Sequence, residues 1–554
     1  MSSLFHLLKS PKKFKIRVQK QIQIQTKMYD IIIKNGTIID GSGKPMFLGD
    51  VGIRGDEIAI IGNIKNDNAT TIIDAENQYV APGFIDVNNH SDTFWRIFSN
   101  PDLESLIYQG ITTIIGGNCG SSLAPLVNKD IIQSIQKWTD IKKMNLNWLT
   151  TKEFLDEVGK KPLSVNFATL VGHGTLRRGI IKDEVRNPSD HEIKMMKKML
   201  RMAMKQGAIG MSTGLVYTHA KMATEKEIEE LAKVVKEYDG VYATHIRGEG
   251  RELIESIKEA IDIGKKTGVK LQISHLKAMG EKSWPLMNEA IDLIETARND
   301  GLNINFDIYP YTATGSVLYI FLPDWITQGG KKMMIRRLKD PEIRKKVIEE
   351  MKADEVDYSG VIIAISPLNK TLTRKSIADI AISQEKSVEE TVLDVLIASD
   401  GRVVTFMNVL SEKNVVEGIK NPFSMITSNG SGYNLEYENN GDLIHPRNFG
   451  SFPRVLAKYV REKKILSWEE AIHKISGGPA EKFNLQNRGV IKEGNFADVV
   501  VFDPKKIQDL ATPRNPYQYS QGITQLIVNG KIVLEQGKYN GHRAGIVLKK
   551  TSLF

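Results

Sequence analysis

The polar and apolar positions of this chain change rhythm twice. From Tyr29 the pattern is that of short strands. "YDIIIKNGTIIDGSGKP" sets two apolar runs around an Asn-Gly pair, and "DVGIRGDEIAIIGNI" repeats the plan around Gly55-Asp56, so each reads as a hairpin. The last stretch does the same, with "GNFADVVVFDP" followed by "ITQLIVNGKIVLEQGKY" and a turn at Asn529-Gly530. Both ends therefore predict one small β-sandwich domain, residues 28–81 plus 486–549, closed around a large insert.

The middle, residues 82–485, alternates strands with helices. "SVNFATLVGH", "AIGMSTG", "VYATHI" and "KLQISHL" read as strands. Between them, Ile228, Leu231, Ala232 and Val235 share a helical face behind a capping box at Thr224–Glu227, and a further helix runs from about Glu252 to Gly268. Repeated βα units imply a parallel sheet, and their number favours a (β/α)8 barrel over an open sheet. "NINFDIYPY", "GVIIAIS" and "VVTFMN" compete for the seventh strand. Residues 324–357 are charged and helical, and read as a lid inserted over the site. The fold class is thus α/β, a TIM-type barrel with a small β domain.

Bulk properties change this picture little. The chain has 554 residues, 41% hydrophobic and 25% charged, with one cysteine and no long apolar run. That excludes an internal disulfide and predicts no membrane span. The net charge of +9 is local: residues 1–27 hold seven basic residues and no acid, and without them +2 remains. A nucleic-acid partner is therefore not expected. Residues 1–27 read as a basic extension without fixed structure, with an organelle-targeting peptide or a binding tail as alternatives. The expected compartment is the cytoplasm. The sequence leaves the oligomeric state open.

Four stretches place a metal-type ligand at the end of a candidate strand: "FIDVNNH" (His90), "TTIIGGNC" (Cys119), "YATH" (His245) and "LQISH" (His275). The C-terminal ends of barrel strands are where active sites are built. Imidazole and thiolate suit Zn2+, and a catalytic zinc needs about three protein ligands and an open position. Cys119, His245 and His275 supply three.

The segments "APGFID", "GNCGSSLAP", "STGLVYTHA", "ATHIRGE", "ISHLKAMG", "HPRNFGSFPRVL" and "GNFADVVVFDP" follow one another in an order and spacing that resemble the N-acyl-D-amino-acid deacylases (D-aminoacylases), a branch of the amidohydrolase superfamily. The likeness runs from about residue 29 to 549. It implies hydrolysis of the amide of N-acyl-D-amino acids, a small-molecule substrate, by metal-activated water. It also implies one tightly held zinc on Cys119, His245 and His275, and a substrate-carboxylate clamp of Tyr217, Lys277 and Arg447.

Two positions depart from that family. Asn88 stands where the first His of His-x-His is expected, leaving His90 alone at a weak second metal position. Asn429, in "MITSNG", stands where the general base Asp is expected, and an amide cannot take and return a proton. Asp92, Glu249 and His173 are candidate replacement bases. The two departures keep open a second reading, a catalytically weak or inactive protein with a binding or assembly role. "YPYTATGSVLYIFLPDW" offers no Arg for an acidic side chain, so neutral or apolar substrates are expected.

Overall fold

A computed structural model describes residues 29–550, apart from 66–67, 129–131, 133–145, 183, 185, 354–355 and 369–370. The basic extension, residues 1–27, lies outside the described residues. Among those described, no helix is long and apolar enough to cross a membrane.

The strands of both chain ends join one nine-stranded sheet. Its centre is Tyr79–Pro82, paired in parallel with Tyr29–Ile38 on one side and antiparallel with Val499–Phe502 on the other. Two of the three expected hairpins are present, Phe47–Arg54 with Glu57–Gly62 and Ile523–Val528 with Lys531–Glu535. The first is not. Tyr29–Ile38 is one strand that continues through Asn35-Gly36, with a register shift between Ile33 and Gly36. Asn35 takes a left-handed φ of 60°, so the pair that would have reversed the chain makes a bulge instead.

The middle of the chain forms parallel sheets with helices between the strands. Phe84–Asp86, Ile111–Gly116 and Asn166–Thr169 lie side by side. Val171–Gly172, Gly210–Gly214, Val241–His245, Lys270–Ile273, Ile304–Ile308 and Ser424–Ile426 form a second run in that order. Hydrogen bonds join the two runs at both margins. Leu170 N donates to Gly116 O (2.9 Å), and His90 N donates to Gly430 O (2.7 Å) beside an Asn89–Gly430 bridge. The buried Asp86 carboxylate accepts from Thr427 Oγ1 (2.6 Å), tying the first of these strands to the last. The architecture is mixed α/β with several sheets.

Helix Glu225–Glu237 buries Ile228, Leu231, Ala232 and Val235 as its spacing requires. Only half of its capping box forms: Thr224 Oγ1 accepts from Glu227 N (3.2 Å), while the Glu227 carboxylate turns inward to His173 (2.8 Å) and Arg177 (2.5 Å). Two buried partners outcompete one exposed backbone N–H.

The strand competition resolves clearly. "NINFDIYPY" supplies Ile304–Ile308 of the parallel run. Val361–Ile365 and Val404–Met407 instead pair antiparallel with each other, and Thr314–Val317 joins them in a separate three-stranded sheet. The insertion is therefore larger than residues 324–357. Its helices Gly330–Leu338 and Pro341–Ala353 pack with this sheet and helix Val388–Ala398 around a core of their own, including Leu338, Val347, Ile363, Leu396 and Met407. A helix pair alone has no second layer against which to bury its apolar face; the sheet provides it.

Candidate active site

Three strand ends converge on one point. Cys119 follows Ile111–Gly116, His245 closes Val241–His245, and His275 follows Lys270–Ile273. One ligand atom from each lies within 4.8 Å of the others, and all three residues are buried. Cys119 Sγ is 3.4 Å from His275 Nε2, and the rings of His245 and His275 meet edge-on at 4.4 Å.

The backbone is bent to bring them there. Cys119 (φ 51°), His275 (φ 38°) and Asn429 (φ 44°) all sit in the left-handed region, which side-chain-bearing residues rarely adopt. The Cys119 loop holds its shape through glycine. A Cβ on Gly120 would stand 2.7 Å from Gly214 N, and one on Gly117 would collide with Leu170 O. Asp92 pins the same loop, its Oδ2 accepting from Gly117 N at 2.7 Å.

Glu249 organises the histidines from behind. Its Oε1 lies 3.2 Å from His275 Nδ1 and 3.5 Å from His245 Nε2, and it pairs directly with Lys277. Burial alone would raise this carboxyl, but the charges of His245 and Lys277 outweigh it and hold Glu249 well below its ordinary range. Burial, helped by Lys277 and His245, pushes His275 well below its ordinary value. His275 is therefore neutral near pH 7, the state in which imidazole binds metal. Donation from its Nδ1–H to Glu249 would leave Nε2 for that role.

The same cleft is lined by Tyr217, Lys277, Arg447, His90 and Asn429. Tyr217 meets the His245 ring edge-on at 5.3 Å, and burial raises its hydroxyl well above the usual value. Lys277 is less available than its motif suggests. Besides Glu249, its ammonium donates to His275 O (3.1 Å) and lies 2.9 Å from His275 Nδ1. Arg447 is the reverse case. Its Nε and Nη1 are buried without a hydrogen-bond partner, and its guanidinium rests 5.0 Å above the Tyr309 ring. Burial pulls its pKa down. His445 fixes the backbone there, since its Nδ1 accepts from Arg447 N (3.0 Å) while Nε2 donates to Ala313 O (3.1 Å).

Sequence reasoning missed Tyr309. Its ring lies under the Arg447 guanidinium, and its hydroxyl is buried without a hydrogen-bond partner. The signal was present, an aromatic directly after the strand Ile304–Ile308, but it was masked by the apolar look of "IYPY".

The two asparagines are both engaged. Asn88 Nδ2 donates to Asp307 Oδ1 (3.3 Å), the same oxygen that accepts from His275 N (2.9 Å). Burial lifts Asp307 to about 6 against these hydrogen bonds. His90 Nε2 donates to Asn429 Oδ1 (2.9 Å) and stands 4.0 Å from Cys119 Sγ. Of the three candidate replacement bases, only Glu249 lines the cleft. His173 is fully buried against Glu227, and Asp92 is spent on the Cys119 loop.

Comparison with known proteins decides the family. The Amidohydrolase family model matches residues 79–533. D-aminoacylase of Alcaligenes xylosoxydans xylosoxydans is 33% identical over 96% of this chain and 99% of its own length. The chain belongs to the amidohydrolase family, in its D-aminoacylase branch. An N-acyl-D-glutamate deacylase from Bordetella bronchiseptica, solved with zinc and a phosphonate mimic of the tetrahedral intermediate, superposes with a TM-score of 0.80 at 30% identity. That match covers 94% of this chain and all of the other. A D-aminoacylase described by one-metal activation and second-metal attenuation of a binuclear centre also gives 0.80, at 31% identity over the same shares. Against these amidohydrolases the chain is a full-length relative with its cleft in the same fold.

Proposed function

We propose that this amidohydrolase hydrolyses the amide bond of N-acyl-D-amino acids or close relatives, in a (β/α)8 barrel made by closure of the two parallel runs, with the nine-stranded sheet as its small companion domain. Arg447 carries the reading. A guanidinium with two buried, unpartnered N–H groups is costly unless an anion completes it. A substrate carboxylate would supply the charge-assisted hydrogen bond that the buried guanidinium lacks. The Tyr309 ring would support the guanidinium from below, and Tyr217 would complete the clamp from within the cleft. Lys277 would contribute charge while it stays paired with Glu249.

The triad fits zinc by the chemistry of its donors: one thiolate and two imidazoles, buried and close enough to share an ion, with a carboxylate behind them to set the tautomer. Cys119, His245 and His275 would hold it. Zinc there would polarise the scissile carbonyl and lower the pKa of water toward neutrality. The residues facing it do the rest. Arg447 orients the substrate, and the cleft walls limit water. Asn429 can hold a water by hydrogen bonding but cannot accept its proton, a loss that typically costs about 10²–10⁴-fold in rate. His90 is committed to Asn429 and Asn88 to Asp307, so a second ion finds no ready ligand pair and one tightly held zinc is expected.

A scaffold role would not account for a buried ligand triad, two of its members on left-handed backbone, beside an uncompensated guanidinium. The relatives compared, named as deacylases, lend the inactive reading no support. The test is assay of the purified zinc form against a panel of N-acetyl-D-amino acids. Turnover above the metal-free control is expected, and its absence across the panel would sink the proposal.

A further inference from the structure

Tyr217 stands on a turn that needs outside support. It follows strand Gly210–Gly214 and starts the short helix Thr218–Lys221 without capping it through its side chain. Four residues make one helical turn, too little to hold its own shape. The turn's backbone bonds run through Tyr217 itself, whose carbonyl accepts from Ala220 N and Lys221 N (2.8 Å each). The carbonyls at the far end of the turn must find partners beyond it.

Arg247 supplies those partners from two residues beyond His245. Its Nη1 donates to Lys221 O, and its Nη2 to Ala223 O (3.0 Å). Glu259 holds the same guanidinium from behind, with Nε donating to Oε2 (3.0 Å) and Nη2 to Oε1 (2.6 Å). Glu259 sits on helix Leu253–Thr267, which buries Leu253, Ile257, Ala260 and Ile261 in the core. All three guanidinium nitrogens are engaged, in the directions a planar fork dictates, a set that an ammonium cannot reproduce. The entry to the turn is tied to the same corner, since Leu215 N donates to His245 O (3.0 Å). Residues 215–223 are thus hung at both ends from residues 245–247, and Tyr217 lies between. Its ring meets that of His245 at 5.3 Å, and a Cβ on Gly214 would stand 2.8 Å from it. Arg247 and Glu259 line an outer groove and not the cleft, so their effect on a substrate must pass through what they hold.

Resting on the deacylase reading, we infer that Arg247, anchored by Glu259, is a positioning residue for Tyr217. Through residues 218–223 it fixes the tyrosine beside the His245 ring, where the substrate carboxylate is to be received. The corner that presents a proposed zinc ligand thereby also sets one jaw of the carboxylate clamp.

A double-variant cycle on the zinc-loaded full chain tests this, read by calorimetric titration with N-acetyl-D-leucine and by elemental analysis. Arg247→Lys keeps the charge and loses the fork. It should weaken binding about 10-fold, with zinc still near one per chain. Tyr217→Phe should weaken binding by a similar factor, and the double variant should stay within about 3-fold of Tyr217→Phe alone. Losses that multiply toward about 100-fold would show that Arg247 acts independently of Tyr217 and would overturn the inference. So would unchanged affinity, or loss of zinc, in a folded Arg247→Lys; both leave the deacylase reading standing. Glu259→Gln, which leaves the guanidinium in place, takes the same position in the cycle should Arg247→Lys fail to fold. A wild type that holds zinc but binds neither this ligand nor any other N-acetyl-D-amino acid would overturn the deacylase reading and this inference with it.

Discussion

The two sides of the cleft are built differently. On one side Cys119, His245 and His275 keep the donor types that zinc prefers, at strand ends, buried and within reach of one another. On the other, Asn88 and Asn429 stand where the resemblance to the deacylases leads one to expect a His and an Asp. The structure shows that the second side is not vacant. Asn88 holds Asp307, which in turn holds the His275 backbone, and Asn429 receives the His90 ring. Each Asn makes a hydrogen bond at a position where a ligand or a base was expected.

The sharpest break in that comparison is removal of a retained ligand. Cys119→Ala should reduce bound zinc from about one per chain to near none, read by elemental analysis, because two imidazoles do not make a tight site. Next comes restoration on the altered side. Asn429→Asp should raise kcat/KM by about 10²–10⁴-fold. A wild type already as fast as this variant would mean that another group does the proton work. A third change concerns stoichiometry. Asn88→His alone should leave one zinc, since His90 remains on Asn429. The double variant with Asn429→Asp should move the count toward two.

The smallest effect lies in the support of the Cys119 loop. Burial raises Asp92 to about 6, despite the backbone hydrogen bond from Gly117. The folded protein therefore keeps this proton at a pH where the unfolded chain has lost it. Stability drawn from this group falls as pH rises from about 4 to about 6 and is flat above, by up to about 3 kcal/mol. Asp92→Asn should gain on the wild type across that window in urea melts at pH 4.5 and 7. A difference that does not change with pH would remove the assigned cause.

The repeat of strands and helices was legible because period and spacing are local properties. So was the triad, since a lone Cys in a glycine turn and two His at strand ends are unusual residues in telling places. What escaped depended on tertiary competition. Asn35-Gly36 could serve a turn or a bulge, and pairing with Phe47–Arg54 chose the bulge. "GVIIAIS" and "VVTFMN" had the composition of barrel strands, and only their mutual pairing assigned them to the insert. Glu227 looked like a cap until His173 and Arg177 claimed it. Lys277 looked like a free clamp, and Glu249, four residues after His245, was its hidden partner.

The nine-stranded sheet also sets a timetable. Tyr79–Pro82 has its neighbours at Tyr29–Ile38 and at Val499–Phe502. One edge of this strand can be paired early in synthesis. The other must wait while more than four hundred residues are made. Such non-local pairing is slow and leaves an unpaired strand edge in the meantime. The last strands of the chain thus act as its clasp. A chain ending before Val499 would keep every proposed zinc ligand and expose the edge that those strands cover.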